Sequence, residues 1–345
     1  MRLGLLGLLI CMNGLVLAVS SYERQLQYEG APATITVTVR DEHGVPVEGA
    51  LGEAFYWSTV SNTESEVSDY SDENGNLLFR EKGYCDAVFR ITKGGYYVNK
   101  DNVLFQLPAE APEHFWQRKE WAPTHLDVTL KTIRNPIPGW LYAGKVITLP
   151  RYDIPLGLDL QLLDWVPPYG EGKHTDVILS FHLVDKQNRQ EKWQEIKGVT
   201  FTFPNPGDGV QVCAASMDSS FLTDYSVDVS KPFLSTLTLT IGQKESPSRF
   251  LRSNTYLAFR VRSKVNKDGV VVTANYGSIC YRIHISKRGL FFAGGGFNPT
   301  SNDTNIEFDP KQNLMPKRYK ADLLKDKSLK EKASKEKKGY ENTSF

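Results

Sequence analysis

Cysteine is scarce in this 345-residue chain: there are four, and one of them, Cys11, lies inside an apolar N-terminal stretch. The other three, Cys85, Cys213 and Cys280, form no C-x-x-C pair, so neither a redox motif nor a structural zinc site has sequence support. Histidine is also sparse, with His43, His114, His125, His174, His182 and His284 making six. No His-Glu-x-x-His, Gly-x-Ser-x-Gly elbow or Walker loop occurs. His182-Leu183-Val184-Asp185 comes nearest to a zinc-ligand spacing, but in a strand those two side chains point to opposite faces. Long helical periodicity is missing from the globular part. These absences argue against the common hydrolase and metalloenzyme signatures, and the expectation is no catalytic residue and no cofactor.

What is present begins with the leader. MRLGLLGLLICMNGLVLAVSSYE opens with Arg2, continues apolar, and reaches the small residues Ala18 and Ser20. This is the pattern of a secretory signal peptide, expected over residues 1–20. Asn13 interrupts the run, and no later apolar stretch is long enough to span a bilayer. The mature chain is therefore expected without a transmembrane span, exported to a periplasm, cell surface or extracellular space. Export makes a disulfide conceivable, and Cys213 with Cys280 is the pair to expect because both fall in the later part of the chain. Three buried thiols are the preferred alternative.

Charge is unevenly spread although the chain totals only +1. Residues 316–345 carry 10 Lys or Arg and 5 Asp or Glu, so the remainder has 31 basic and 35 acidic groups. A mildly acidic body with a solvated basic end gives no footprint for nucleic acid. The tail, 313–345, is expected to be disordered or weakly helical.

Strand signals dominate between these ends. In ATITVTV, Ile35, Val37 and Val39 alternate with threonines, the two-residue period of a half-buried strand. HLDVTLK, STLTLTIG, YLAFRVRSKV and SICYRIHIS repeat it. Asn266-Lys267-Asp268-Gly269 is the clearest hairpin turn. The prolines and glycine of NPIPGW suggest a break, giving a sandwich over 31–133, a linker over 134–141 and a second sandwich or jelly roll over 142–312. The fold class is all-β, with two β-sandwich-like domains in tandem. AGGGFNP, 293–299, reads as a flexible turn.

The order of elements in the front third carries a resemblance. DEHGVPVEGA follows the first strand, then come SDENGNLLF, VFRITKGGYY and a closing LDVTL. Asp41 and Gly44 suit a turn, Pro46 pre-sets the next segment, and Asp72, Asn74 and Gly75 suit a second turn. This arrangement resembles the carboxypeptidase regulatory-like domain, a transthyretin-like β-sandwich, with bacterial Ig-like domains a close second. The resemblance implies an accessory, non-catalytic module of secreted or surface proteins. The sequence departs from it through the insertion EAFYWSTVSNTESEVSDY and the long link DNVLFQLPAEAPEHFWQRKEWAP. FNPTSNDTNIEFDP, further on, is similar to a segment of uncharacterised secreted bacterial proteins.

Three sets of residues invite a functional reading. Trp116, Trp121 and Trp165 fall in loops or strand edges, where exposed rings can stack on sugars; packing beneath loops is the plainer alternative. Asp303, Asn305, Glu307 and Asp309 alternate as oxygen donors that calcium would use, against a solvated strand face. His174, Asp176 and His182 suggest an acid–base set, against exposed polar residues on a strand edge. The expected function is an exported non-catalytic structural, adhesive or binding module with a protein or glycan partner. The alternatives are a carbohydrate-binding protein and a hydrolase with its site in the second domain.

Overall fold

A computed structural model describes residues 28–58, 63–106, 120–142, 145–187, 192–216, 219–240, 254–280, 283–286, 289–292 and 294–316. The leader, Trp116, His114 and residues 317–345 lie outside the described residues; the start of the expected tail does not, since Asn313 ends a strand and Met315 is buried. The protein is all-β, and its named elements are all strands. It divides into two compact units: residues up to Arg134 with Asp218–Phe221, and Asn135–Met217 with Leu222–Phe345.

The first unit holds β1 (Ala31–Asp41), β2 (Leu51–Ser58), β3 (Thr63–Tyr70), β4 (Asn76–Gly83), β5 (Asp86–Thr92), β6 (Asn99–Leu104) and β7 (Thr124–Leu130). One sheet runs β4-β1-β7, the other β3-β2-β5-β6. The β1–β7 pair is parallel and the β1–β4 pair antiparallel. Ala33, Ile35, Val37 and Val39 are buried, as the alternation in β1 requires. They pack with Tyr56, Leu77, Phe79, Phe89 and Ile91 into one core. Full burial of an Ile35-sized side chain contributes about 1.5–3 kcal/mol.

The corners of this unit explain DEHGVPVEGA. Asp41 Oδ1 accepts from His43 N at 2.8 Å and Val45 N at 2.9 Å, which closes the turn, and Gly44 takes φ +79°. Pro46 bridges back to Arg40, and the fully buried Ala50 donates its amide to Ser71 Oγ at 2.8 Å. Asp72 repeats the device, accepting from Asn74 N at 2.9 Å and Asn76 N at 2.7 Å. Gly75, at φ +79°, is required there, because a Cβ would run into the Val39 carbonyl oxygen.

The second unit adds β8 (Ile137–Leu141), β9 (Lys145–Ile147), β10 (Leu156–Asp159), β11 (Asp164–Trp165), β12 (Val177–Gln187), β13 (Lys192–Thr202) and β14 (Gly209–Ala214). After these come β15 (Thr236–Thr240), β16 (Thr255–Val265), β17 (Val271–Cys280), β18 (Ile283–Ser286), β19 (Gly289–Phe292), β20 (Gly295–Asn298) and β21 (Phe308–Asn313). Its sheets run β11-β10-β12-β13-β15, β14-β16-β17-β20-β8-β21 and β18-β19-β9. Leu158, Leu179, Val199, Phe201, Phe259, Phe292 and Phe297 belong to its main core.

Two expectations change here. Ile137–Leu141, expected as linker, is a strand between β20 and β21. Its proline stands near the start of the strand, and a Cβ on Gly139 would run into the Phe308 ring. The glycines expected to form a flexible turn instead make β20, because Gly295 at φ +116° lies against the Ser278 carbonyl, where no side chain fits. The Asn266–Gly269 turn joins β16 to β17, with Gly269 at φ +78°.

Candidate functional site

The densest ionic cluster lies in the second unit. A register shift between Val261 and Lys264 breaks the β16–β17 ladder, and Arg262 there takes φ +57°. Asp208 holds that backbone, accepting from Arg262 N at 3.0 Å and Ser263 N at 2.8 Å. A bulge of this kind re-aims a side chain. The Arg262 guanidinium thereby meets Asp176 with two bonds of 3.0 Å, Gln161 Oε1 at 2.6 Å and Asp159 Oδ1 at 3.1 Å.

Both carboxylates are 1% exposed. Burial pushes the Asp176 carboxyl above its ordinary value, although Arg262 and the Leu160 amide pull the other way. The Tyr142 phenol, fully buried beside this pair, is raised chiefly by the same loss of water and donates to the Leu160 carbonyl. Shifts like these attract a catalytic reading. Saturation argues against it. Asp159 also accepts from the amides of Gln161, Leu162, Lys173 and His174, which leaves its oxygens little capacity for a substrate. The cluster clasps the 159–176 segment to β16.

The histidines expected near this region separate. His174 is exposed and donates its backbone amide to Asp159 at 3.1 Å, whereas Asp176 is buried in the clasp. His182 stands on the outer face of β12, with Nε2 2.7 Å from Thr200 Oγ1, which is itself 2.8 Å from Thr238 Oγ1. These side chains are neighbours across three adjacent strands, a polar ladder on an open sheet face. An acid–base set of His174, Asp176 and His182 does not assemble.

A concave site lies in the first unit. Gly49, Leu51, Thr92, Lys93, Gly94 and Tyr96, with Val98, line a cleft of about 650 Å³. Sequence places it where β2 begins and β5 ends. Leu51 pairs with Thr92, so the turns before β2 and after β5 lie side by side. Gly95 at φ +85° and Tyr96 N donating to Lys93 O at 3.1 Å form the second turn. Lys93 Nζ donates to Gly49 O at 3.2 Å, which fixes the ammonium at the cleft. Among the described residues no carboxylate pairs with Lys93. A side chain at Gly94 would meet nothing within 4 Å, so that side is open to solvent. The arrangement can hold a small anion at Lys93 and an apolar body against Leu51, Tyr96 and Val98.

The expected site residues lie elsewhere. Trp121 is 3% exposed and donates Nε1–H to Gly83 O at 2.9 Å; Trp165 is 2% exposed and donates to Thr148 O at 2.7 Å. Both rings fill cores, which corrects the sugar-stacking expectation for them; Trp116 lies outside the described residues.

The calcium expectation is corrected too. Asp303 Oδ1 accepts from Asn305 N, Asn305 Oδ1 from Glu307 N, and buried Glu307 from Asn135 N. Asp309 takes Lys311 N and Gln312 Nε2. Their oxygens fold the loop rather than converge. Among the described residues no group of three or more His, Cys, Asp or Glu is placed to hold a metal ion.

Cys213 and Cys280 are both free, as is Cys85. Each faces Tyr256 in register from opposite sides of β16, so about two strand spacings, ~10 Å, divide them, too far for a bridge.

Sequence reasoning missed both Arg262 and Lys93. Lys93-Gly94-Gly95 lies within VFRITKGGYY, but nothing local in that stretch marks it as one wall of a cleft. Among the described residues no helix is long and apolar enough to cross a membrane.

No protein-family model matches the chain, and no curated protein matches it. Solved structures do. The 3-chlorocatechol 1,2-dioxygenase from Rhodococcus opacus 1CP matches at 14% identity and a TM-score of 0.25, over 30% of this chain and 61% of that one. Catechol 1,2-dioxygenase from Acinetobacter sp. ADP1 matches at 12% identity and 0.25, over 30% and 54%. The dioxygenase domain of a carbohydrate-binding fusion from Streptomyces sp. SirexAA-E matches at 14% and 0.23, over 30% and 82%. The chain thus spans less than two thirds of the first two.

These proteins are enzymes, and that finding corrects two expectations: that the chain is a non-catalytic structural, adhesive or binding module, and that it is not an enzyme. Similarity at this level carries no argument for a dioxygenase reaction here.

Proposed function

We propose that this is an exported protein whose front sandwich, of the carboxypeptidase regulatory-like or transthyretin-like kind, captures a small organic anion in the Lys93 cleft. The resemblance and the leader pattern support the first part. One observation carries the second: an ammonium without a carboxylate partner among the described residues is tethered to Gly49 O at 3.2 Å beside a cleft of about 650 Å³. An ion-paired hydrogen bond from Lys93 supplies the polar anchor. Leu51, Tyr96 and Val98 supply contact for a ring or short chain. A carboxylate on a compact apolar body meets both requirements.

Calorimetric titration with benzoate, phenylacetate and inorganic phosphate tests the reading. Benzoate or phenylacetate is expected to bind saturably, and Lys93→Gln to weaken it about tenfold, the equivalent of about 1.4 kcal/mol. Mass spectrometry of the same mixtures over time reads whether the bound acid is converted. Absence of saturable binding, or equal affinity in a folded Lys93→Gln variant, would overturn the proposal.

A further inference from the structure

The first unit contains a short piece of later chain, Asp218–Phe221, and the way it is held looks like the recognition of a peptide. β6 is the outer strand of its sheet, and the chain just before it is held by the segment after β7: Tyr96 bridges antiparallel to Thr132, and Tyr97 N donates to Lys131 O at 2.8 Å. Ser219 bridges antiparallel to Asn99, and Ser220 N donates to Val98 O at 2.7 Å. Ser219 Oγ accepts from Phe221 N at 3.1 Å, which turns the backbone and delivers the aromatic ring. That ring stacks on Tyr97 at 4.7 Å between centroids and 23° between planes. Lys131 Nζ lies 4.9 Å from its centroid, and Phe221 is 8% exposed. Lys131 is itself only 7% exposed, an unusual position for a lysine.

The geometry points to a peptide-recognition slot on the front unit, filled in cis by Ser219–Phe221. Its ligand is an extended segment with two small residues followed by an aromatic one. Main-chain bonds to the strand edge give affinity, and the Tyr97–Lys131 slot selects the aromatic side chain. The covalently attached segment has a high effective concentration and excludes competing peptide. A variant that releases it exposes the slot. The inference does not rest on the anion reading, although Val98 borders both sites.

The test uses the full chain and a fluorescein-labelled peptide of residues 216–223, SMDSSFLT. Fluorescence anisotropy is expected to show at least tenfold tighter binding to Phe221→Ala than to the natural chain. A peptide with alanine in place of its phenylalanine is expected not to bind, and adding Tyr97→Ala to the variant is expected to abolish binding. Ser220→Pro, which removes the amide donated to Val98, is a second way to release the segment and is expected to behave likewise. Equal binding to the natural chain and a folded Phe221→Ala variant would overturn the proposal, and so would equal binding of the alanine peptide. Loss of the fold in both releasing variants would also overturn it, because the segment would then be a structural staple.

Discussion

Asp72 in the front unit and Asp176 in the second accept hydrogen bonds of similar length, yet their electrostatics run in opposite directions. Asp72 stands at an exposed turn, where amides of Asn76 and Asn74 hold its carboxyl below the ordinary value. Asp176 also accepts an amide, at 2.9 Å, and faces a guanidinium besides. Its carboxyl is nevertheless raised, because burial costs the charged form more than those partners return. Nearby Asp159 adds a second negative charge to a site with one Arg262. Hydrogen bonds alone therefore do not set the charge state; access to water does. The same contrast separates the rigid clasp of the second unit from the Lys93 cleft, whose ammonium sits beside open solvent.

The comparison breaks most visibly at Arg262. Replacing it with alanine leaves two buried carboxylates without their cation, and about 3–5 kcal/mol of stability should go. Urea unfolding measures it; a loss under about 1 kcal/mol would mean that water already reaches the clasp. Gly75→Val should cost about 2 kcal/mol, because a branched side chain is forced into positive φ and into the Val39 carbonyl. A smaller loss would show that the Asp72 turn can shift its backbone.

The two aspartates should also give opposite pH dependences. Asp176 binds its proton more tightly folded than unfolded. Its contribution is fully present below the unfolded value, about 4, and is lost as pH rises through the raised folded value. Asp72 has a depressed folded value, so its contribution is present above about 4 and is lost as pH falls through that depressed value. Unfolding free energies across pH, each compared with the Asn variant at that position, should slope in opposite senses. Parallel slopes would remove the distinction. The smallest effect is expected at Tyr56, whose buried hydroxyl has no partner among the described residues. Tyr56→Phe removes an unsatisfied group and should leave stability unchanged or raise it by up to about 1 kcal/mol by thermal unfolding.

Local periodicity made much of this architecture legible. The alternation of Ile35, Val37 and Val39 placed β1, and Asn266–Gly269 placed a hairpin. Asp41, Gly44, Asp72 and Gly75 marked corners, because turn chemistry is written in neighbouring residues. The clasp was not legible. Asp159 and Asp176 lie 103 and 86 residues before Arg262, and only a bulge within β16 brings the three together. Trp121 and Trp165 misled for a related reason. Loop composition suggested exposure, while each indole N–H had a carbonyl partner available inside a core. Glycine misled too. At Gly295 it permits close strand approach rather than mobility.

The most direct test of the recognition claim is benzoate titration of three chains: natural, Lys93→Gln and His182→Ala. His182 belongs to the open polar ladder of the second unit, so its loss is a control for surface change. The account predicts binding weakened about tenfold by Lys93→Gln, about 1.4 kcal/mol, and unchanged by His182→Ala. Full affinity in Lys93→Gln with loss in His182→Ala would contradict it.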